Sequence, residues 1–212
     1  MTKKDAEKIV GKLYKNDKMP CKSYTLPAGT KCPVGSTLMN NPNSTCAGCY
    51  ALKGFSLVFA KNVNPFREFK LAALNHPQWV EAMVAMIGKD SYFRWHDSGD
   101  IQSLDHFLRI VLVCYKTPHC KHWLPTREYN VIRQYLAMGG VIPENLTVRL
   151  SGYMVDCKPP QPNGLVHLTT STVHDKVAPY GMACNAPLQG GHCLNCRACW
   201  SDKVQNVSYH KH

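Results

Sequence analysis

The 212-residue sequence has no apolar run of about eighteen residues, the length a membrane-spanning helix needs, so no membrane association is expected. Its first residues carry Lys3, Lys4, Lys8, Lys12, Lys15 and Lys18 without an apolar core segment, which does not read as a secretory signal. Acidic residues are scarce, 14 against 25 Lys and Arg, and the formal charge is +11. That balance favours an anionic partner, of which nucleic acid is the commonest, over a cationic one. The alternative is a basic surface with no specific partner, since the lysines are spread along the chain and no basic run marks a groove. No repeat of fixed period and no low-complexity tract is present.

What the chain does have is cysteine, 11 in all. An odd number without a signal segment argues against a disulfide framework. It argues for metal ligands or redox chemistry in a reducing compartment, and a cytoplasmic location is the expectation. The densest group is Cys184-x8-Cys193-x2-Cys196-x2-Cys199, with Pro187, Gly190 and Gly191 between its members to let the backbone wrap an ion. Thiolates at this spacing suit tetrahedral zinc or a four-iron cluster and exclude magnesium and calcium. The consecutive x2 gaps lean toward iron–sulfur, because zinc sites more often split into two separated pairs. A second group, Cys32-x13-Cys46-x2-Cys49, offers three ligands. Three thiolates leave a coordination position open, as a catalytic metal requires, unless Cys21 or a histidine supplies a fourth. Metal-bound thiolates would also cancel part of the +11 charge. Cys114, Cys120 and Cys157 read as unliganded, Cys114 as core.

The segment order predicts a single α/β domain over residues 1–212. Residues 1–20 form a lysine-rich arm or helix, 21–180 a partial, open βα barrel with a parallel sheet, and 181–212 a C-terminal metal-binding segment. A Cys-rich loop of Pro, Gly, Ser and Asn occupies 21–43 and leads into Cys46 and Cys49. Helices are predicted from Asn64-Pro65, from Pro77 to Gly88, after the cap Ser103, and from Tyr129 to Gly139. Strands are predicted at 92–96, 119–124, 146–150 and 165–168. Strand and helix alternating in this way give βαβ units and right-handed crossovers, and the chain is too short for a full eight-stranded barrel.

In such sheets functional groups gather at the C-terminal ends of the strands. The expected ends carry His96, Asp97, Ser98, Gly99 and Asp100, then Thr126, Arg127 and Glu128, then Ser151, Gly152 and Tyr153, then Thr169, Thr170 and Ser171. The first turn can present backbone amides and two carboxylates to a ligand, or simply cap the next helix. Arg127 can grip a carboxylate or phosphate, or be a surface arginine in a first helical turn.

Taken together, Leu26-Pro-Ala-Gly-Thr-Lys-Cys32-Pro, Cys46-Ala-Gly-Cys49-Tyr-Ala, Arg94-Trp-His-Asp-Ser-Gly-Asp100, Pro125-Thr-Arg127, Val148-Arg-Leu-Ser151 and Cys193-x2-Cys196-x2-Cys199-Trp200 resemble a family of uncharacterised phage proteins. These in turn are similar to radical S-adenosylmethionine (radical SAM) iron–sulfur enzymes. The resemblance covers roughly residues 20 to 210. It implies a [4Fe-4S] cluster on Cys32, Cys46 and Cys49 whose open iron chelates S-adenosylmethionine. It implies cofactor contacts from Ser98, Gly99 and Asp100, to which His96, Arg127 and Ser151 are added from their strand-end positions. The C-terminal cysteines become an auxiliary [4Fe-4S] cluster, and the setting becomes the host cytoplasm. The chain departs from the compact Cys-x3-Cys-x2-Cys loop of those enzymes in its thirteen-residue first gap.

The expectation is therefore an enzyme that reductively cleaves S-adenosylmethionine, served by an electron donor and acting on a nucleotide or nucleic-acid substrate. Its rival is a non-catalytic zinc or iron–sulfur protein that binds nucleic acid through the same lysines.

Overall fold

Alternation along the strands sets the architecture. In β3 (Tyr92–Trp95), Phe93 and Trp95 enter the main core, while Arg94 lies over the Trp123 ring and Tyr92 packs beside Trp200 on the other face. The next strands repeat this division. Leu124 of β4 (Lys121–Thr126) and Leu146, Val148 and Leu150 of β5 (Leu146–Val155) join the core, whereas Trp123 and Arg149 point away from it. Such strands, apolar on one face and mixed on the other, need cover on the apolar side.

The computed structural model describes residues 1–15 and 17–211. The strands above belong to an eight-stranded mixed α/β sheet that also contains β1 (Tyr14–Lys15), β2 (Lys22–Tyr24), β6 (Thr169–His174), β7 (Met182–Ala183) and β8 (Asn206–His210), in the order β1-β2-β3-β4-β5-β6-β8-β7. Only β1 runs antiparallel to its neighbour, and the sheet ends at two separate edges, β1 and β7. Helices α1 (Lys3–Val10), α4 (Ala60–Ala73), α5 (Trp79–Ile87), α6 (Leu104–Lys116) and α7 (Tyr129–Ala137) contribute buried residues to the core under the sheet. Two shorter helices, α2 (Pro33–Leu38) and α3 (Gly54–Val58), lie in the cysteine-rich loop region. Among the described residues no helix is long and apolar enough to cross a membrane.

Three expectations are corrected. The helix predicted from Asn64-Pro65 begins at Ala60, so Pro65 lies inside it and forfeits one hydrogen bond in the second turn. The strand predicted at 165–168 is instead Thr169–His174; Leu165 is buried in a turn, and Thr169, Thr170 and Ser171 are strand residues rather than a strand-end loop. The third strand runs on through Ser151, Gly152 and Tyr153, with a register shift between Ser151 and Val155. By contrast, Ser103 caps α6 as expected, its hydroxyl accepting from His106 N–H.

Candidate metal centres

Residues 32–50 lie across the C-terminal ends of β2 to β5. Leu26 N–H donates to Ser98 carbonyl at 2.9 Å, setting the path that leads to Cys32. Cys32 precedes α2, with Pro33 at its first position and Val34 N–H donating to Glu128 Oε1 at 2.8 Å. Farther on, Thr45 N–H donates to Tyr153 carbonyl and its hydroxyl to Gly152 carbonyl, and Ser44 pairs with Met154. Arg127 closes the assembly, its Nη2 donating to Thr45 Oγ1 at 2.7 Å.

These anchors bring three thiols together. A Cβ built on Gly35 would stand 3.6 Å from Cys46 Sγ, 3.7 Å from Cys32 Sγ and 2.8 Å from Cys32 Cβ. Both sulfurs border a space that only glycine leaves open. The Cys32 thiol feels both Cys46 and Cys49, and the Cys46 thiol feels Cys49. Burial pushes Cys32 up to about 12 and raises Cys46, against which the Arg127 charge acts. These groups stay protonated until something better than a proton binds them, as a soft metal does.

The proposed cofactor-contact residues divide into two kinds. Ser98 Oγ donates to Leu26 carbonyl at 2.7 Å and pairs with Thr25 Oγ1 at 2.6 Å. Asp100 accepts from Ile101 N–H and Thr126 hydroxyl on one oxygen and from Arg127 N–H on the other. Gly99, at φ +78°, sits where a Cβ would meet Leu26 Cβ at 2.6 Å. Ser151 Oγ accepts from Ser171 Oγ at 3.2 Å. These four shape the strand ends by bonds within the chain. His96 differs: it is buried at φ +53° with neither ring nitrogen hydrogen-bonded, against the His106 ring. Neighbouring Asp97 has a buried, unpartnered Oδ1.

The second group of thiols sits on the face of the sheet opposite the core. Arg149 holds it there, donating to the carbonyls of Cys199, Ala198, Ser201 and Thr170 at 2.7–3.1 Å. Trp200 packs edge-on to Tyr92 and Trp123, and its indole N–H donates to Phe93 carbonyl. Cys199 Sγ lies 3.2 Å from Tyr209 Oη. Cys193 feels the charges of Cys184 and Cys196, and Cys199 that of Cys184, so the four thiols form one electrostatic group. Burial raises Cys193, and lifts Cys199 to about 11. Arg94 stands between the two cysteine groups. It feels Tyr50 and Asp97 on one side and Tyr209 and Cys199 on the other, with no carboxylate at ion-pair distance among the described residues.

Sequence reasoning missed Glu128 as the α2 anchor, Gly35 as the gap between sulfurs, and Arg94 and Arg149 as interior cations. One signal was available for the last two: each alternates with apolar residues within a strand, which puts it on the opposite face. Among the described residues no three His, Cys, Asp or Glu side chains already converge at metal-binding distance. Two clefts of about 300 and 290 Å³ lie elsewhere, at Leu71, Gln102 and His106 and at Lys121, Asn145 and Trp200, and are lined by no cysteine. The chemistry of the donor sets, rather than cavity size, marks the candidate sites.

The sequence model of a family described as Gene product 88 matches residues 1–202. No curated protein and no solved structure matches the chain.

Proposed function

The chain belongs to the Gene product 88 family, and for it we propose an iron–sulfur enzyme of the radical SAM kind on a partial, open βα barrel, with an auxiliary centre. The observation that carries this reading is the gathering of Cys32 and Cys46 around the gap at Gly35, with Cys49 near enough for both to feel its charge, over the C-terminal ends of parallel strands. That is the end of a parallel sheet where functional sites are built. Three soft donors fit a four-iron cluster with one iron left open, and such a cluster supplies an electron at a position a ligand can reach. The reading assigns reductive cleavage of S-adenosylmethionine to this end of the sheet.

The chain's own residues do the positioning. Arg127 brings positive charge beside Cys46 and ties the cysteine loop to β4, offsetting thiolate charge. Glu128 fixes the start of α2 and so the direction of Cys32. Asp100 joins the ends of β3 and β4, holding the floor under the site. Asp97 with its unpartnered oxygen, His96 with its unpartnered ring nitrogens and the exposed Tyr50 are groups that could meet a ligand. The auxiliary centre would draw its thiolates from the C-terminal group of Cys184, Cys193, Cys196 and Cys199, where Arg94, Arg149 and Arg197 bring positive charge.

Anaerobically purified protein is expected to be brown and to hold roughly seven to eight irons, the content of two four-iron clusters. With dithionite and S-adenosylmethionine it should release 5′-deoxyadenosine. Fully iron-loaded protein that yields none removes the enzyme reading. Colourless protein with stoichiometric zinc replaces it with the nucleic-acid-binding one.

A further inference from the structure

Cys21 precedes the N-terminal triad in sequence, but the fold takes it to the other centre. It is 5% exposed at the start of β2 and packs in one cluster with Trp123 and Trp200, against which Cys199, Tyr92 and Tyr209 also lie. Its thiol feels Cys193, Arg94 and Arg197 rather than Cys32, Cys46 or Cys49. The backbone confirms the approach. Cys193 N–H donates to Lys18 carbonyl at 2.8 Å, and the Lys18 side chain comes within 3.2 Å of a Cβ position on Gly191.

The two segments that meet here come from opposite edges of the sheet. Residues 18–21 lead into β2, one strand in from the β1 edge; Cys184 follows directly on β7, the other edge strand, and its N–H donates to Ser208 carbonyl. No strand pairing joins those edges among the described residues. Of the five thiols, Cys21 is buried, Cys184, Cys193 and Cys199 are half-buried, and Cys196 is exposed.

We infer that Cys21 is a ligand of the C-terminal centre together with Cys184, Cys193 and Cys199, that Cys196 lies outside the set, and that the bound thiophilic metal clasps the two edges of the open sheet. This choice of thiols follows from geometry, since a metal seated against the wall of Tyr92, Trp123 and Trp200 reaches the inward thiol before the solvent-facing one. It fits the ligand set to four soft donors, which suits zinc or a four-iron cluster equally. The inference rests on the reading that these cysteines hold a metal.

The test uses the full chain with Cys32, Cys46 and Cys49 replaced by Ala, so that all cysteine-bound metal reports the C-terminal centre. It is loaded with zinc(II) alone and, separately, with iron and sulfide. Adding Cys21→Ala should lower affinity, read by chelator competition, at least roughly tenfold, while Cys196→Ala keeps stoichiometric metal. Unchanged affinity in the first variant, or equal loss in both, overturns the inference. Should Cys21→Ala fail to fold, selenocysteine at position 21 replaces it. Selenium-edge X-ray absorption must then show the metal in selenium's first shell, and a shell of carbon alone overturns the inference. If the parent chain binds no metal at all, the metal reading falls with it; if metal binds but ignores position 21, only the clasp falls.

Discussion

Three histidines are buried as neutral rings: His96, His106 and His122. Burial holds His96 well below the ordinary histidine range, with His106 and Arg94 adding to the effect, and brings His106 and His122 to about 3. In the unfolded chain each titrates near 6.5. Below that value the unfolded state takes up protons that the folded state refuses, so stability present at neutral pH is lost as pH falls. Each ring contributes about 1.4 kcal/mol per pH unit, and the three together approach about 4 kcal/mol per unit. Urea midpoints at pH 7.5, 6 and 5 should fall steeply, and a flat series would contradict the neutral burial of these rings. Lys70 acts in the same direction at higher pH. Its Nζ is buried between the Tyr24 and Phe66 rings at 4.5 and 4.4 Å with no hydrogen bond, and burial lowers it to about 7. The unfolded lysine stays protonated to about pH 10.4, so stability should rise with pH upward from 7. Lys70→Met should stabilise the fold by about 1–2 kcal/mol at pH 7, because an unpaired buried ammonium disappears. It should also flatten the Lys70 contribution between pH 7 and about 8.5, where the thiols titrate alike in both chains and cancel from the comparison. Paired urea curves for the two chains give both quantities.

At the scale of the element, α2 shows how a short helix serves a site it does not itself contain. Its Gly35 faces the sulfurs of Cys32 and Cys46, and its first turn is pinned by Glu128 from the end of β4. Gly35→Ala should evict about half of the bound iron, that of the N-terminal centre, and leave the C-terminal centre loaded. Iron analysis with iron-centred spectra of the remaining cluster separates local loss from collapse; unchanged iron would mean the gap is not where metal sits. Much of this scaffold was legible in sequence. Tyr92–Trp95, Leu146–Leu150 and the helix after Ser103 carry apolar periodicity that matches their burial. The last strands were not. Thr169–His174 and Asn206–His210 bury Thr170, Thr172, Asn206 and Ser208, whose side chains satisfy one another through a ladder of hydrogen bonds. Polar pairing of that kind leaves no hydrophobic signal, so the apolar Leu165–Leu168 drew the assignment instead. Cys21 was illegible for a related reason. Cys193, Arg197 and Trp200 are among its neighbours in space, and spacing along the chain carries no trace of a contact that distant.

For the whole molecule, the consequence of an open sheet is that its two ends are held by different means. Between β2 and β8 every neighbour is joined by a parallel ladder, but across the seam the contacts are of another kind, among them Cys193 to Lys18, the Trp200 wall and the proposed metal. A ladder loses hydrogen bonds one residue at a time, whereas a clasp of thiolates opens as a unit when its metal leaves. Removing the metal should therefore raise hydrogen exchange together at residues 18–24 and at 182–200, sequences far apart that share only the seam. Amides of Val148, Leu150 and Leu124, in the middle of the sheet, should keep their protection, because their hydrogen bonds and core contacts do not involve the cysteines proposed as ligands. Mass-resolved exchange on metal-loaded and chelator-treated protein measures both regions at once. Coupled deprotection at the two edges is the outcome a clasp requires. Deprotection confined to 182–200 would mean that the C-terminal segment folds around its own metal without gripping the first strands.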